Sequence, residues 1–297
     1  MAVTVRIAAL LASLLVVGAL GGAPASANPG DPPGALVFGG LQRTYVLHAP
    51  PGLDHPSGLV ISLHGAGQTG GEQASLTNYN AVADRHGFVV AYPDGIDFSW
   101  ADGRGASVPD REGVDDVGFL ATLIDRLSHD YGIPAGRVFV TGMSAGAFMA
   151  NRLACDRADL ISAIAPVAGT LGVGVPCNPS RPVSVMQVHG TADPVVPFDG
   201  GPMVGRGGPS DIISAPALAD RWRAIDGCPA PVEDTNGDAH LFTAAGCAGG
   251  TQVVFVRIDG GGHTWPAGSF SLPEAMVGPT SHAFDASAAS GQFFASR

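Results

Sequence analysis

Short apolar runs alternate along the chain with longer segments of helical periodicity. Several of the runs, such as Gly58–Leu63, are continuously apolar and bounded by turn residues, which is typical of strands buried on both faces of a parallel sheet. The predicted strands are Thr44–His48, Gly58–Leu63, Phe88–Tyr92, Arg137–Thr141, Ser184–Val188 and Thr251–Ile258.

The clearest helical pattern covers Asp115–Tyr131, where apolar residues recur at spacings of three and four. Asp115 or Asp116 can cap its first turn, and Gly132 ends it. Further helices are predicted over Ala145–Cys155, Ala215–Ile225 and Phe284–Phe294. Strands that alternate with helices predict an α/β fold, in which helices cover both faces of a mostly parallel sheet.

The first 27 residues have the features of a secretory signal peptide. Arg6 precedes an apolar run of 14 residues, Ile7–Leu20, which is shorter than the ~20 residues needed to span a bilayer. The small residues of Ala25–Ala27 then offer a cleavage site. We therefore expect an extracellular protein without a transmembrane segment, although an uncleaved anchor is the alternative. Residues 28–297 would form one domain, and Asn28–Ala35 would be its loose leader.

Composition favours a packed, acidic protein. Hydrophobic residues make up 45% of the chain, which is ample for a core and excludes general disorder. All 15 cationic side chains are Arg, and 26 acidic residues give a net charge of −11. Nucleic-acid binding requires a basic face, so we expect no nucleic-acid partner.

The four cysteines indicate two disulfides, because an even number in an exported chain is typical of oxidised pairs. Three connectivities are possible. We favour the pairs Cys155–Cys177 and Cys228–Cys247, since each closes a short loop. The spacings do not match those of a zinc site.

The segment Gly142–Gly146 has the pattern Gly-x-Ser-x-Gly and joins a predicted strand to a predicted helix. A serine on such a sharp strand–turn–helix connection forms a nucleophile elbow. Glycine is expected at both ends because a Cβ at either position would crowd the turn. We therefore predict that Ser144 is a nucleophile. The alternative is a glycine-rich loop with an incidental serine.

A nucleophilic serine needs a base that is oriented by an acid. In hydrolases with this elbow the acid and then the histidine follow the serine along the chain. Asp193 lies just beyond the strand Ser184–Val188, where active-site groups collect in open α/β sheets. His263 lies in a glycine-rich loop after the last predicted strand. The order Ser144, Asp193, His263 predicts a catalytic triad.

Other acids and histidines remain alternatives for these roles. Asp199 follows the same strand as the predicted acid, and Asp259 shares a loop with the predicted base, so it would have to fold back. His189 precedes the acid at a strand end, where a structural hydrogen bond is the simpler interpretation. His240 and His282 have no motif around them and are interpreted as solvated loop residues.

A tetrahedral oxyanion needs two N–H donors. One is expected from Ala145, which follows the nucleophile at the start of a helix. The other is expected from the loop after the strand Gly58–Leu63, where we choose Ala66 and keep Gly67 as the alternative. His64, at the start of this loop, is interpreted as structural.

Three aromatic residues lie near these loops in sequence, namely Trp100, Phe198 and Trp265. We predict that they line an acyl or aromatic pocket, with core packing as the alternative. The segment Asp234–Asp238 faintly resembles a calcium loop but lacks its glycine and its distal glutamate. We interpret it as a polar turn, and we expect neither a metal ion nor another cofactor.

Six sequence blocks carry a family resemblance: LVISLHGAGQT, VAYPDG, VDDVGFL, VFVTGMSAGAFMANRLAC, SVMQVHGTADPVVPF and GGGHTWPAG. Over roughly residues 36–297 the chain resembles the polyhydroxybutyrate-depolymerase-type esterases, and it is similar to the feruloyl and acetylxylan esterases of secreted polysaccharide degraders. The resemblance implies an α/β-hydrolase fold, serine esterase activity and the same triad. The family often has Cys where Ala66 stands and Gly where Ala147 stands.

We therefore expect a secreted, monomeric and cofactor-free serine esterase. Its expected substrates are oligomers or polyesters of 3-hydroxybutyrate and related hydroxyalkanoates, or short-chain esters. The alternative substrates are feruloyl or acetyl esters on plant polysaccharide. Peptidase activity is a more distant alternative, and a hydrolase-fold binding protein without turnover is the non-enzymatic one.

Overall fold

A computed structural model describes residues 33–297, and the predicted signal peptide lies outside them. Within these residues ten strands form one sheet, and two others, β8 (Gly201–Gly205) and β9 (Gly208–Ile212), form a separate hairpin. The strands of the large sheet are β1 (Pro33–Phe38), β2 (Leu41–His48), β3 (Gly58–Leu63), β4 (Phe88–Pro93), β5 (Val138–Met143), β6 (Ala163–Val167), β7 (Ser184–Gly190), β10 (Val232–Asn236), β11 (Ala239–Ala245) and β12 (Gln252–Ile258).

The sheet has the strand order β1-β2-β4-β3-β5-β6-β7-β12-β11-β10. Its six central strands, from β4 to β12 in this order, are parallel, and the two strands at each edge are antiparallel. The carboxyl ends of parallel strands meet at one edge of a sheet, which is where open α/β folds place their ligands. The loops that follow β3, β5, β7 and β12 therefore lie at the same edge.

Helices cover both faces of this sheet. The described helices are α1 (Gly70–Thr77), α2 (Tyr79–His86), α3 (Val108–Glu112), α4 (Asp116–Tyr131), α5 (Ala145–Asp156), α6 (Ala215–Ile225), α7 (Glu274–Val277) and α8 (Ala286–Ala295). One buried cluster contains side chains from α4, α5 and α6, and a second contains side chains from α1, α2 and α8. The structure thus confirms the α/β-hydrolase architecture expected from the alternating pattern and the family resemblance.

The predicted helix α4 shows why local patterns were informative. Asp115 caps it by accepting a hydrogen bond from the N–H of Gly118 at 2.7 Å, and Gly132 ends it in the left-handed conformation with φ of 63°. Its residues Phe119, Leu120, Leu123, Ile124 and Leu127 are buried, so the stripe of apolar positions is the face that packs on the sheet.

Two predictions for irregular segments need correction. The predicted leader reaches too far, because Pro33–Ala35 belong to β1, which pairs with β2. The rest of that leader lies outside the described residues. The polar segment Asp234–Asp238 is only partly a turn, because Asp234–Asn236 lie in the exposed edge strand β10. A charged, exposed edge strand resists pairing with other chains.

Both disulfides favoured from the sequence are present, Cys155–Cys177 and Cys228–Cys247, and no free cysteine occurs in residues 33–297. The first pair ties the end of α5 to the segment before β7. The second joins the segment after α6 to the loop before β12. Among the described residues, none of the helices has both the length and the apolar character needed to cross a bilayer.

Asp226, directly after α6, is expected to make the stability of the fold depend on pH. Its side chain is buried, and burial raises its pKa to about 6, although the N–H of Val183 donates to its Oδ1. The unfolded chain therefore loses this proton near pH 4 and the folded protein near pH 6. Between these values stability falls with rising pH, by at most about 2–3 kcal/mol from this group.

We expect Asp226→Asn to raise the melting temperature by roughly 5 °C at pH 8 and to change it little at pH 4. Thermal unfolding followed by circular dichroism at both pH values measures the difference. The exposed Asp54→Asn serves as the control and should behave like wild type at both. An equal shift of Asp226→Asn at the two pH values would contradict this account.

Candidate active site

Ser144 occupies a strained turn between β5 and α5. Its backbone has φ of 54° and ψ of −118°, an unfavourable combination for a residue with a side chain. A Cβ at Gly146 would lie 2.2 Å from the carbonyl oxygen of Leu63, and one at Gly142 would lie 2.7 Å from the backbone of Gly146. The two glycines therefore let the elbow pack against the end of β3, which confirms why the pattern requires them.

His263 and Asp193 are in direct contact. The His263 Nδ1 lies 2.8 Å from Asp193 Oδ2, although the two residues are 70 positions apart in sequence. The other carboxylate oxygen, Oδ1, accepts hydrogen bonds from the N–H groups of Val195 and Val196, both at 2.8 Å. Both oxygens of this buried carboxylate are thus engaged, and they hold the imidazole ring in one orientation.

The loop after β3 presents one unengaged N–H group next to the serine. The N–H of Gly67 donates to the carbonyl oxygen of Phe98 at 2.8 Å, so it cannot also face a ligand. Among residues 33–297 the N–H of Ala66 has no hydrogen-bond partner, and neither has that of Ala145 at the start of α5. The geometry therefore favours Ala66 over Gly67 as the second donor.

A second loop, residues 94–101, holds the Ala66 loop in place. The N–H of Gly95 donates to His64 Nε2 at 2.9 Å, and the indole N–H of Trp100 donates to the His64 carbonyl at 2.9 Å. Burial lowers the pKa of His64, so its ring is neutral, and Nδ1–H can donate to the Gly65 carbonyl. His64 thus has the structural role predicted from the sequence.

This second loop is in turn fixed by a buried ion pair. Asp116 Oδ1 accepts from the guanidinium of Arg43 at 2.6 Å, and its Oδ2 accepts from the N–H of Ala101 at 2.7 Å. Burial raises the pKa of Asp116, and the neighbouring Arg43 opposes this effect. Removing either partner would leave an uncompensated buried charge beneath the loop.

Ser144, His263 and Ala66 line one cavity of about 330 Å³. One side of it is apolar and is formed by Leu76, Trp265, Phe270, Leu272 and Val277; the charged Glu72 and the polar Gln68 also line it. A mostly apolar cleft with a few convergent polar groups is the usual form of a small-molecule site.

The structure brings only one of the three predicted aromatic residues to this cavity. Trp265 lines it, and its indole N–H donates to Ser287 Oγ at 2.9 Å. Trp100 does not, because it is completely buried beneath the loop of His64. Phe198 lines a separate surface groove, where its ring stacks on Phe255.

The alternative acids and bases lie elsewhere. Asp259 is exposed and paired with Arg257 and His240, at 2.7 and 3.2 Å. Asp199 is exposed, and among the described residues it makes no hydrogen bond or ion pair with His263. His240 belongs to the exposed ion-pair cluster around Asp259, and His282 is exposed.

His189 is buried beside the Asp193 carboxylate without being its main partner. Its Nε2 lies 2.9 Å from the carbonyl oxygen of Val196 and 3.6 Å from Asp193 Oδ2. Burial lowers the pKa of His189, which keeps the ring neutral, so Nε2–H donates to Val196. This bond supports the turn of residues 193–196, in agreement with the structural interpretation from the sequence.

Sequence reasoning missed the apolar wall formed by Phe270, Leu272 and Val277. These residues lie in the segment after Trp265, which is irregular apart from the short helix α7 that ends at Val277, and its sequence has no motif or periodicity that marked them. The segment is tied to the histidine loop, because the N–H of His263 donates to the carbonyl of Val277 and that of Gly262 to Pro279. Within residues 33–297 no group of three or more His, Cys, Asp or Glu could hold a metal ion.

Comparisons with known proteins identify relatives of this chain. A sequence model described as esterase PHB depolymerase matches residues 43–254. The putative esterase NocK of Nocardia uniformis subsp. tsuyamanensis is 32% identical over 82% of this chain and 77% of its own length. Feruloyl esterase C of Emericella nidulans is 27% identical over 90% of this chain and 96% of its own.

Among solved structures, the acetyl xylan esterase from Aspergillus awamori superposes with a TM-score of 0.55 at 18% identity, over 75% of this chain and 89% of the other. This similarity shows a shared fold. The family match spans residues 43–254, which include the loops that carry Ser144 and Asp193. The chain therefore belongs to the PHB depolymerase family of esterases, and it is a carboxylic ester hydrolase.

Proposed function

We propose that the protein is a secreted serine esterase in which Ser144, His263 and Asp193 form the catalytic triad. The observation that carries the proposal is the joint placement of a strained serine and a carboxylate-bound histidine on one cavity. Such strain is typical of a nucleophile elbow, where it exposes the hydroxyl to the substrate.

The proposed reaction passes through an acyl-enzyme. His263 Nε2 takes the proton of the Ser144 hydroxyl as Oγ attacks the ester carbonyl, and Asp193 fixes the tautomer and stabilises the imidazolium. The N–H groups of Ala66 and Ala145 bind the tetrahedral oxyanion. The alcohol leaves with the proton from His263, and a water molecule then releases the acid by the same steps.

The size and lining of the cavity favour substrates with small acyl groups. Its volume of about 330 Å³ is at the lower end for ligand pockets, and its apolar wall suits a short aliphatic chain. We therefore propose short-chain esters and oligomers of 3-hydroxybutyrate or related hydroxyalkanoates as substrates. Feruloyl or acetyl esters on polysaccharide are the second candidate, favoured by relatives that are named feruloyl esterase C and acetyl xylan esterase.

We propose extracellular action by a monomer, without a cofactor. Two disulfides are typical of a protein in an oxidising environment, and residues 1–27 have the sequence features of a signal peptide. The catalytic domain would then begin at Asn28.

Hydrolysis of p-nitrophenyl esters from acetate to palmitate tests this proposal. We expect kcat/KM to be greatest for the short esters, because long chains exceed the cavity. Methyl ferulate, acetylated xylan and 3-hydroxybutyrate oligomers then separate the two substrate classes. A fluorophosphonate should label wild type at Ser144, and a folded protein that is neither labelled nor active would support the binding-protein alternative.

A further inference from the structure

The hairpin β8–β9 carries a cation to the edge of the ester cavity. Its tip, Arg206–Gly207, packs against α3 and the loop before it, and Arg111 of α3 donates to the carbonyl of Gly207 at 2.6 Å. A Cβ at Gly207 would lie 1.9 Å from the carbonyl oxygen of Ala106, so the contact is close. At the base of the hairpin, Met203 and Ile212 pack with Phe148 of α5. The hairpin is thus anchored at both ends beside the active site.

Arg206 extends from this tip to the loops that form the predicted oxyanion site. Its Nη1 donates to the carbonyl of Asp97 at 3.2 Å, and its guanidinium lies 5.6 Å from the ring centre of the half-exposed Phe98. The same Nη1 lies 3.7 Å from the point that a side chain at Gly67 would occupy. Gly67 lines the cavity together with Ser144; Arg206 is not itself a lining residue, but its guanidinium lies beside the Gly67 end of the cavity.

The charge of Arg206 is not neutralised by an ion pair. No carboxylate in residues 33–297 lies within 4 Å of its guanidinium, whereas the neighbouring Arg104 is paired with Asp102 at 2.7 Å. Of the described residues that line the cavity, Glu72 alone carries a carboxylate, and its Oε2 accepts from the N–H and hydroxyl of Thr69 at 2.7 and 3.0 Å. Arg206 therefore offers unused N–H donors to solvent at the cavity edge.

We propose that Arg206 binds a carboxylate that the substrate carries in addition to its scissile ester. The preferred substrates would then be ester acids, such as linear oligomers of hydroxyalkanoic acids, which have one free carboxylate per chain. A guanidinium binds a carboxylate through two parallel hydrogen bonds, and such charge-assisted bonds are about twice as strong as neutral ones. This inference rests on the serine esterase activity proposed above.

The local cation matters because the rest of the protein disfavours anions. With a net charge of −11, the chain repels an acidic substrate at long range. An arginine at the cavity edge offsets this repulsion at the point where the substrate enters. Neutral feruloyl or acetyl esters gain no binding energy from this charge. The effect of replacing Arg206 therefore distinguishes the two proposed substrate classes.

The test compares the linear 3-hydroxybutyrate trimer with its methyl ester, which keeps the internal ester bonds and replaces the carboxylate by one additional, uncharged ester. Product analysis follows cleavage of the internal bonds alone. We expect wild type to prefer the acid in kcat/KM, and Arg206→Gln to lower the acid-to-methyl-ester ratio about tenfold. Turnover of p-nitrophenyl acetate should stay within about twofold of wild type, since the acetate ester does not reach the arginine. Arg206→Lys should retain part of the preference, and added NaCl should weaken it in wild type.

Arg85→Gln is the matched control, because Arg85 is an exposed arginine in the last turn of α2. It should leave the ratio unchanged. Equal acid-to-methyl-ester ratios in wild type and Arg206→Gln would overturn the proposal. An equal loss of kcat/KM on both trimers, together with a lower melting temperature, would also overturn it, because it would show that Arg206 only anchors the hairpin. Failure of the serine esterase proposal looks different, since the folded wild type would then hydrolyse no ester, or Ser144→Ala would retain activity on every ester.

Discussion

Ser144→Ala is expected to lower kcat for p-nitrophenyl acetate about 10⁵-fold, because the change removes the atom that is proposed to form the acyl-enzyme. The residual rate would come from binding and from the N–H donors of Ala66 and Ala145. The strained backbone should persist, since alanine keeps the Cβ that serine already places there. Steady-state kinetics and active-site labelling by a fluorophosphonate measure the two consequences.

Ser271→Ala provides a matched control within the same cavity. Ser271 lines this cavity, and its hydroxyl donates to the carbonyl of Leu272 at 3.0 Å. We expect its removal to leave turnover and labelling near wild type. If a folded Ser144→Ala protein keeps its rate within about tenfold of wild type, another residue performs the attack.

Asp193→Asn is expected to lower kcat about 10⁴-fold with little change in KM. An amide can still accept from the N–H groups of Val195 and Val196, so the turn should keep its shape. However, an amide can donate to His263 Nδ1, which stabilises the wrong tautomer, and it has no charge to stabilise the imidazolium. The loss should therefore appear in catalysis and not in binding.

The alternative acids supply the controls for this variant. Asp199→Asn and Asp259→Asn should each retain near-wild-type kcat, because neither carboxylate contacts His263 and Asp259 is paired with Arg257. A large loss in Asp259→Asn, together with an active Asp193→Asn, would show that the histidine turns to a different acid in solution.

Much of the fold was predictable because its signals are local. The stripe of α4, its cap at Asp115 and its end at Gly132 lie within one segment, and so do the buried strands β3 and β7. Strand β6 escaped prediction because Ala163–Val167 is short and contains Pro166, and proline is unusual in a central strand. Its pairing with β7 shows no partner at Pro166, which is consistent with the missing N–H.

The positions of the three predicted triad residues could be predicted from the sequence, whereas the cavity around them could not. Each of Ser144, Asp193 and His263 follows its own strand, so the sheet itself sets their positions. The apolar wall at Phe270 and Leu272 depends on how an irregular segment folds back over the histidine loop. Trp100 and Phe198 were assigned to this cavity because they lie near the catalytic loops in sequence. Nearness in sequence did not determine where their side chains pack in the fold.

The disulfides also determine what happens if a protease cuts the β8–β9 hairpin. A cut there leaves Cys155–Cys177 in the first fragment and Cys228–Cys247 in the second, so no covalent bond joins them. The first fragment then contains Ser144 and Asp193, and the second contains His263. The active site of a nicked molecule would be held together only by non-covalent packing, chiefly the pairing of β7 with β12.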